Sequence, residues 1–193
     1  MKKIVLFGDS MLGRFTKPRI DQLEAEAGDV VVFNCAAGGW KSDDGARRAA
    51  TIAKTEPDVV VLSFGANDCA PDRLVELHAY TENLRAIADA FAPATLIGFL
   101  PPSIEEIDGV GRRGRTNAVL DTYREVLREV VSAANSVDTD AAVAPLVAAG
   151  EPVHEDGLHL TGDAYRLVIS ALAERIARRN RLRPALIFPK TPW

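Results

Sequence analysis

Near the start of the chain a serine lies among glycines, in Gly8-Asp9-Ser10-Met11-Leu12-Gly13, and near the end a histidine follows an aspartate by three residues, in Asp156-Gly157-Leu158-His159. A serine hydroxyl attacks a carbonyl only when a base takes its proton, and a histidine such as His159 is a base able to do this near neutral pH. A carboxylate three residues before a histidine on a tight loop can reach the ring Nδ1–H, fix the tautomer and stabilise the imidazolium. Two more stretches offer hydrogen-bond donors. Asn67, in Gly65-Ala66-Asn67-Asp68, carries two amide N–H donors, and the pair Gly38-Gly39 lets backbone N–H groups approach a ligand closely. Nucleophile, base, orienting carboxylate and oxyanion donors are the parts that hydrolytic acyl transfer requires. Singly, each stretch has a plainer reading: Ser10 as a turn or cap residue, Gly38-Gly39 as a flexible connection, Asn67 as an Asn turn, His159 as a surface histidine beside a helix start. His154 and His78 fit the plainer role better. The chemistry rests on the combination.

The elements that must bring these residues together follow from apolar patterning. Ile4–Phe7, Val30–Phe33, Val59–Phe64 and Ala94–Leu100 are continuous apolar runs of strand length, which suggests burial on both faces. Val137–Ala144 is a weaker fifth candidate, interrupted by Asp138 and Asp140. Between the runs lie helical patterns. One starts at Pro71 and uses Leu74, Leu77, Leu84, Ile87 and Phe91; one is capped by Thr116; a last one is capped by Thr161; one starts from Ser42; and a short one spans about Ile20 to Ala27. Strand–helix alternation of this kind predicts an α/β fold with a parallel sheet covered on both faces. Ligands in such sheets gather outside the carboxyl ends of the strands. Ser10, Gly38-Gly39 and Asn67 each follow a strand.

The bulk properties narrow the field further. The 193 residues, 47% of them hydrophobic, suit one domain with a substantial core, taken as residues 1–193. A net charge of -4 gives no case for nucleic-acid binding. From Arg175 onward there are five Arg, one Lys and no acid, read as a solvated helix end whose cations complement the helix dipole. The apolar run after Met1-Lys2-Lys3 is too short for a signal-peptide core, and no run approaches the ~18 residues of a membrane span, so the expected location is cytoplasmic. The segment after the first strand is neither a dinucleotide fingerprint nor a P-loop, and it lacks the G-x-S-x-G elbow.

Gly8-Asp9-Ser10, Gly39, Gly65-Ala66-Asn67-Asp68 and Asp156-Gly157-Leu158-His159 resemble, in order and spacing, the four signature blocks of the SGNH, or GDSL-type, hydrolase superfamily. Met11 stands where Leu is frequent. The resemblance implies a flavodoxin-like three-layer α/β/α sandwich with five parallel strands in the order 2-1-3-4-5. It implies Ser10 as nucleophile, His159 as base and Asp156 as its orienter, with the N–H groups of Ser10 and Gly39 and the Asn67 side chain as the oxyanion hole. Gly39 is preferred to Gly38 because it lies five residues after Asn34, as in the family's Asn-x-x-x-x-Gly pattern. No cofactor or metal is implied. With that strand order, Cys35 and Cys69 lie about 10 Å apart, too far for a disulfide, so both are expected as free thiols. Cys69 as a rival nucleophile lacks a histidine placed as His159 is for Ser10.

The expected substrate is a small-molecule ester with a short acyl group, because the chain has little length for a lid. Carbohydrate O-deacetylation, lysophospholipid or thioester hydrolysis, and a non-catalytic binding module are the alternatives; the intact Ser10, Asn67, Asp156 and His159 argue against the last. Trp40 could wall the pocket or simply pack, and Met11, Leu12 and Leu158 could line it. Gly111-Arg112-Arg113-Gly114-Arg115 reads either as a solvated loop or, through Arg112, Arg113 and Arg115, as a contact for an anionic substrate group.

Overall fold

Strand β1 (Lys2–Gly8) is the middle of the molecule because every residue from Ile4 to Phe7 is buried and both of its edges are paired. The structure, a computed structural model, describes residues 1–181. After β1 come α1 (Ser10–Gly13), α2 (Lys17–Ala27), β2 (Val30–Asn34), α3 (Ser42–Ala53), β3 (Val59–Ser63), α4 (Leu77–Ala90) and β4 (Thr95–Phe99). A small hairpin, β5 (Glu106–Ile107) and β6 (Val110–Gly111), precedes α5 (Asn117–Val131), β7 (Ser136–Val137), α6 (Thr139–Ala149) and α7 (Gly162–Arg181).

The main sheet is parallel, in the order β2-β1-β3-β4-β7. With the hairpin set aside, this is the expected 2-1-3-4-5 order. Helices α3, α4 and α5 pack together as one layer, and α2, α6 and α7 form the other. Phe7 joins sheet to helices by edge-to-face contacts with Phe64, Phe91 and Trp40, and Phe15 does the same with Phe99 and Tyr165. At the carboxyl end of β1 the neighbouring strand comes very close. A Cβ on Gly8 would stand 2.2 Å from the Ser63 carbonyl oxygen, so only glycine fits just before Asp9 and Ser10.

Four expectations about the elements need correction. The fifth strand is only Ser136–Val137, and the residues after it are helical. Asp138 caps α6, accepting the Ala141 N–H at 3.1 Å. Asp140 accepts the Ser103 backbone N–H at 2.8 Å and a guanidinium N–H of Arg124, also at 2.8 Å. The helix expected from Pro71 begins at Leu77 instead. Residues 69–75 form turns closed by hydrogen bonds to Gly65, Asn67, Asp68 and Ala70. Ser42 is the first residue of α3 rather than its cap. Its N–H donates to Asp68 Oδ1 at 2.7 Å, while Lys41 holds the cap position. The short helix expected at about Ile20 starts earlier, at Lys17, with Pro18 in its first turn. Thr116 and Thr161 do cap their helices, accepting from Val119 N at 3.3 Å and Ala164 N at 3.2 Å. Of the basic C-terminal run, the part beyond Arg181 lies outside the described residues. Among the described residues no helix is long and apolar enough to cross a membrane.

Candidate active site

Ser10 opens α1 directly beyond β1. The turn is held by Asp9, whose Oδ1 accepts the Met11 N–H at 2.9 Å, and by Tyr165, whose hydroxyl donates to the Met11 carbonyl at 2.9 Å. Asp9 is fully buried and its Oδ2 has no partner among the described residues. Burial pushes its carboxyl from 3.8 up to about 7, the nearby Asp68 carboxyl adds to the rise, and the Met11 N–H and the charge on Arg115 only partly offset it.

His159 arrives from the opposite end of the chain on a loop that is closed by pairing. His154 and Leu160 form an antiparallel bridge, and the Glu155 N–H donates to the His159 carbonyl at 2.8 Å. Within the loop, Asp156 Oδ1 accepts the backbone N–H groups of Leu158 at 3.2 Å and His159 at 2.9 Å. Its Oδ2 lies 2.8 Å from His159 Nδ1, and His159 Nε2 lies 3.0 Å from Ser10 Oγ. The three side chains form a continuous relay with the carboxylate at the far end. Partial burial pushes the Asp156 carboxyl up. The bonds from the His159 backbone and ring and from Arg112 outweigh that and hold it well below the usual carboxylate range. Asp156 is therefore ionised wherever His159 can act as a base.

The donors face the same hydroxyl. The chain turns back at Ala37–Trp40, with the Trp40 N–H donating to the Ala37 carbonyl at 3.3 Å and Gly39 at φ +81°, a region glycine enters without strain. Gly38 and Gly39 line the cavity beside Ser10, and no acceptor among the described residues takes the N–H of Ser10, Gly38 or Gly39. Asn67 lines it too. One amide N–H donates to the Trp40 carbonyl at 2.9 Å, which leaves its second N–H for the cavity. Its Oδ1 accepts a guanidinium N–H of Arg115 at 3.2 Å. Four donors without an acceptor among the described residues, three backbone N–H groups and the second Asn67 N–H, thus line the same cavity as the Ser10 hydroxyl.

The cavity measures about 400 Å³ and is open to solvent. Leu158 is on its wall, as expected, and is its one large apolar side chain. Met11 and Leu12 are not on it; both are wholly buried. Trp40 has the packing role. Its ring lies edge-to-face on Phe7 with the Arg48 guanidinium 4.5 Å from the ring centre, and it reaches the site only through its carbonyl. Arg112 and Arg113 both line the cavity, each in an ion pair: Arg112 with Asp156 and Arg113 with Asp72 at 2.5 Å. Arg115 does not belong to a solvated loop. It is 1% exposed and donates to the carbonyls of Ala66 at 2.6 Å and Arg112 at 3.0 Å as well as to Asn67. Arg14 and Arg73, which the sequence reading passed over, also line the cavity. Asp9, visible in the sequence only as the middle of Gly-Asp-Ser, is wholly buried next to Ser10.

Cys35 and Cys69 are both free thiols. Burial pushes the Cys69 thiol up to about 11, and it donates to the Ala66 carbonyl at 3.6 Å, so it is a poor nucleophile near neutral pH. Among the described residues no three His, Cys, Asp or Glu side chains cluster as metal ligands.

Comparison with known proteins identifies the family. Residues 6–167 match the GDSL-like Lipase/Acylhydrolase family. Among solved structures, the lipase/acylhydrolase from Enterococcus faecalis is similar, at 27% identity and a TM-score of 0.81, over 93% of this chain and 97% of that one. The acetylxylan esterase Axe2 from Geobacillus stearothermophilus shares the fold at 21% identity and a TM-score of 0.72, over 91% and 94% of the two chains. The acetyl xylan esterase AlAXEase does so at 18% identity and a TM-score of 0.73, over 89% and 98%. Comparison with curated proteins gave no match. With the family matched across most of its length, the chain belongs to the GDSL-like lipase/acylhydrolase family of SGNH hydrolases.

Proposed function

We propose that this protein is a serine esterase that cleaves small carboxylic esters through an acyl-enzyme on Ser10. The observation that carries the reading is the relay from Asp156 through His159 to Ser10, at 2.8 and 3.0 Å, ending in a cavity lined by N–H donors without an acceptor among the described residues. His159 Nε2 takes the hydroxyl proton as Ser10 Oγ bonds to the ester carbonyl carbon. The tetrahedral oxyanion accepts from the N–H groups of Ser10 and Gly39 and from the Asn67 amide. His159 then gives its proton to the departing alcohol. A water molecule, deprotonated by the same imidazole, releases the acid and restores Ser10.

The walls favour short acyl groups. Leu158 is the cavity's one large apolar side chain, and the rest of the lining is glycine, polar or cationic. A long alkyl chain would find little apolar surface there to leave water for. Small acetyl esters, including O-acetylated sugars, fit this better than long-chain lipids do.

A fluorophosphonate should label Ser10, and Ser10→Ala should abolish both labelling and turnover. Aryl esters of increasing acyl length, run beside acetylated sugars and a thioester, should show kcat/KM falling beyond the shortest chains. Absence of both labelling and ester cleavage in folded protein would overturn the reading.

A further inference from the structure

We propose that the favoured esters carry an anionic group, a carboxylate or a phosphate, and that Arg73 holds it beside the oxyanion position. The proposal rests on the serine-esterase reading and narrows its substrate class.

Five arginines line the cavity and no carboxylate does. Four of them are already engaged. Arg14 pairs with Glu155 at 2.9 Å, Arg113 with Asp72 at 2.5 Å, and Arg112 with Asp156. Arg115 is buried and spends its donors on Ala66, Arg112 and Asn67. The guanidinium of Arg73 has neither an acidic nor a carbonyl partner among the described residues. Yet it is only half-exposed, and its Nη1 lies 3.9 Å from where a Cβ on Gly39 would stand.

A guanidinium offers five N–H donors in a rigid fork that matches a carboxylate or phosphate. An arginine already in an ion pair must give up that partner to bind a ligand; Arg73 has none to give up among the described residues. Its charge also opposes that of the buried Arg115, as does the charge of Arg113. An anion in the cavity relieves that repulsion, and a neutral ester does not. Because Arg73 lies at the Gly39 turn, a group it holds is set within reach of the donors that face Ser10.

The test compares matched pairs of esters. The p-nitrophenyl monoester of glutaric acid against p-nitrophenyl valerate places a carboxylate on the acyl side. 1-Acetylglycerol 3-phosphate against 1-acetylglycerol places a phosphate on the alcohol side. One charge-assisted contact predicts a preference of about tenfold or more in kcat/KM for the anionic member of at least one pair. Most of that preference should vanish in Arg73→Gln, part should remain in Arg73→Lys, and added salt should weaken it. Calorimetric titration with inorganic phosphate reads the same site without turnover, with binding expected to weaken about tenfold in Arg73→Gln. No preference in either pair, or a preference and phosphate affinity that Arg73→Gln retains, overturns the proposal. That failure leaves Ser10 labelling and neutral-ester cleavage intact, whereas loss of both with phosphate still bound would instead overturn the esterase reading.

Discussion

Asn67 can stabilise an oxyanion only if its amide is held with an N–H toward the cavity, and Arg115 is what grips the other end of that amide. The perturbation is a cycle of Asn67→Ala, Arg115→Met and the double variant. Removing Asn67 deletes one of three donors, a loss of about 10²–10³ in kcat. Removing Arg115 leaves the donor in place but releases its carbonyl, and the amide then relies on the Trp40 carbonyl at 2.9 Å alone. The lost contact, at 3.2 Å, is the longest of the three that Arg115 makes. About 1.4 kcal/mol is therefore assigned to it, the low end for a hydrogen bond to a charged group, which converts to about tenfold in kcat. Stability falls as well, because the buried carbonyl of Ala66 loses the guanidinium donor, at about 1–3 kcal/mol, and keeps only the weak Cys69 thiol. The assay is steady-state hydrolysis of an aryl acetate well below the melting temperature of each variant, with circular dichroism to establish folding. Acting only through Asn67, Arg115→Met should lower kcat more than it raises KM and should add nothing to Asn67→Ala, so the double variant matches Asn67→Ala within about twofold. If the two losses multiply, Arg115 acts by another route. If Arg115→Met alone leaves kcat unchanged, Asn67 needs no such grip.

Three further outcomes are expected. Asp9 keeps its proton in the folded state up to about 7 but loses it near 3.8 when unfolded, so the folded state binds the extra proton between these limits; stability should fall by about 4 kcal/mol as pH rises across them and then level off. Denaturant titrations should show Asp9→Asn gaining on the parent from pH 4 to pH 8, and an equal difference at both would refute the burial argument. Arg112 and His159 share the Oδ2 of Asp156, so Arg112→Ala should let the Asp156 carboxyl rise toward the usual carboxylate range, read from its NMR carboxyl shift against pH; an unmoved carboxyl would mean that the pair does not form in solution. Gly8→Ala drives a Cβ against the Ser63 carbonyl at 2.2 Å, and a backbone shift two residues before Ser10 should cost about 1–3 kcal/mol in stability along with activity, read by melting and kcat together.

The Ser10, Gly39 and Asn67 part of the candidate site was legible because these residues follow strands that were themselves legible. Ile4–Phe7 and Val59–Phe64 are apolar without alternation, which only a sheet covered on both faces explains, and such a sheet delivers whatever follows each strand to one edge. Ser10 and Asn67 arrive there by that rule alone. The charged residues around them follow no such rule. Arg112, Arg113 and Arg115 stand within four positions of one another, yet one pairs with Asp156, one with Asp72, and one is buried beneath Asn67. Their side-chain types are identical. Their fates depend on partners more than forty residues away in the chain, which no local pattern contains. Asp138 and Asp140 interrupted the fifth apolar run because the strand ends at Val137, where one caps α6 and the other binds Ser103 and Arg124. Arg73 was hidden by a helix pattern that began too early. The turns through residues 69–75, not a helix from Pro71, carry it to Gly39. Apolar periodicity therefore locates the groups that follow strands, and long-range charge pairing decides which groups surround them. That is why the reaction class was readable from the sequence while the arginine proposed to select the substrate was not.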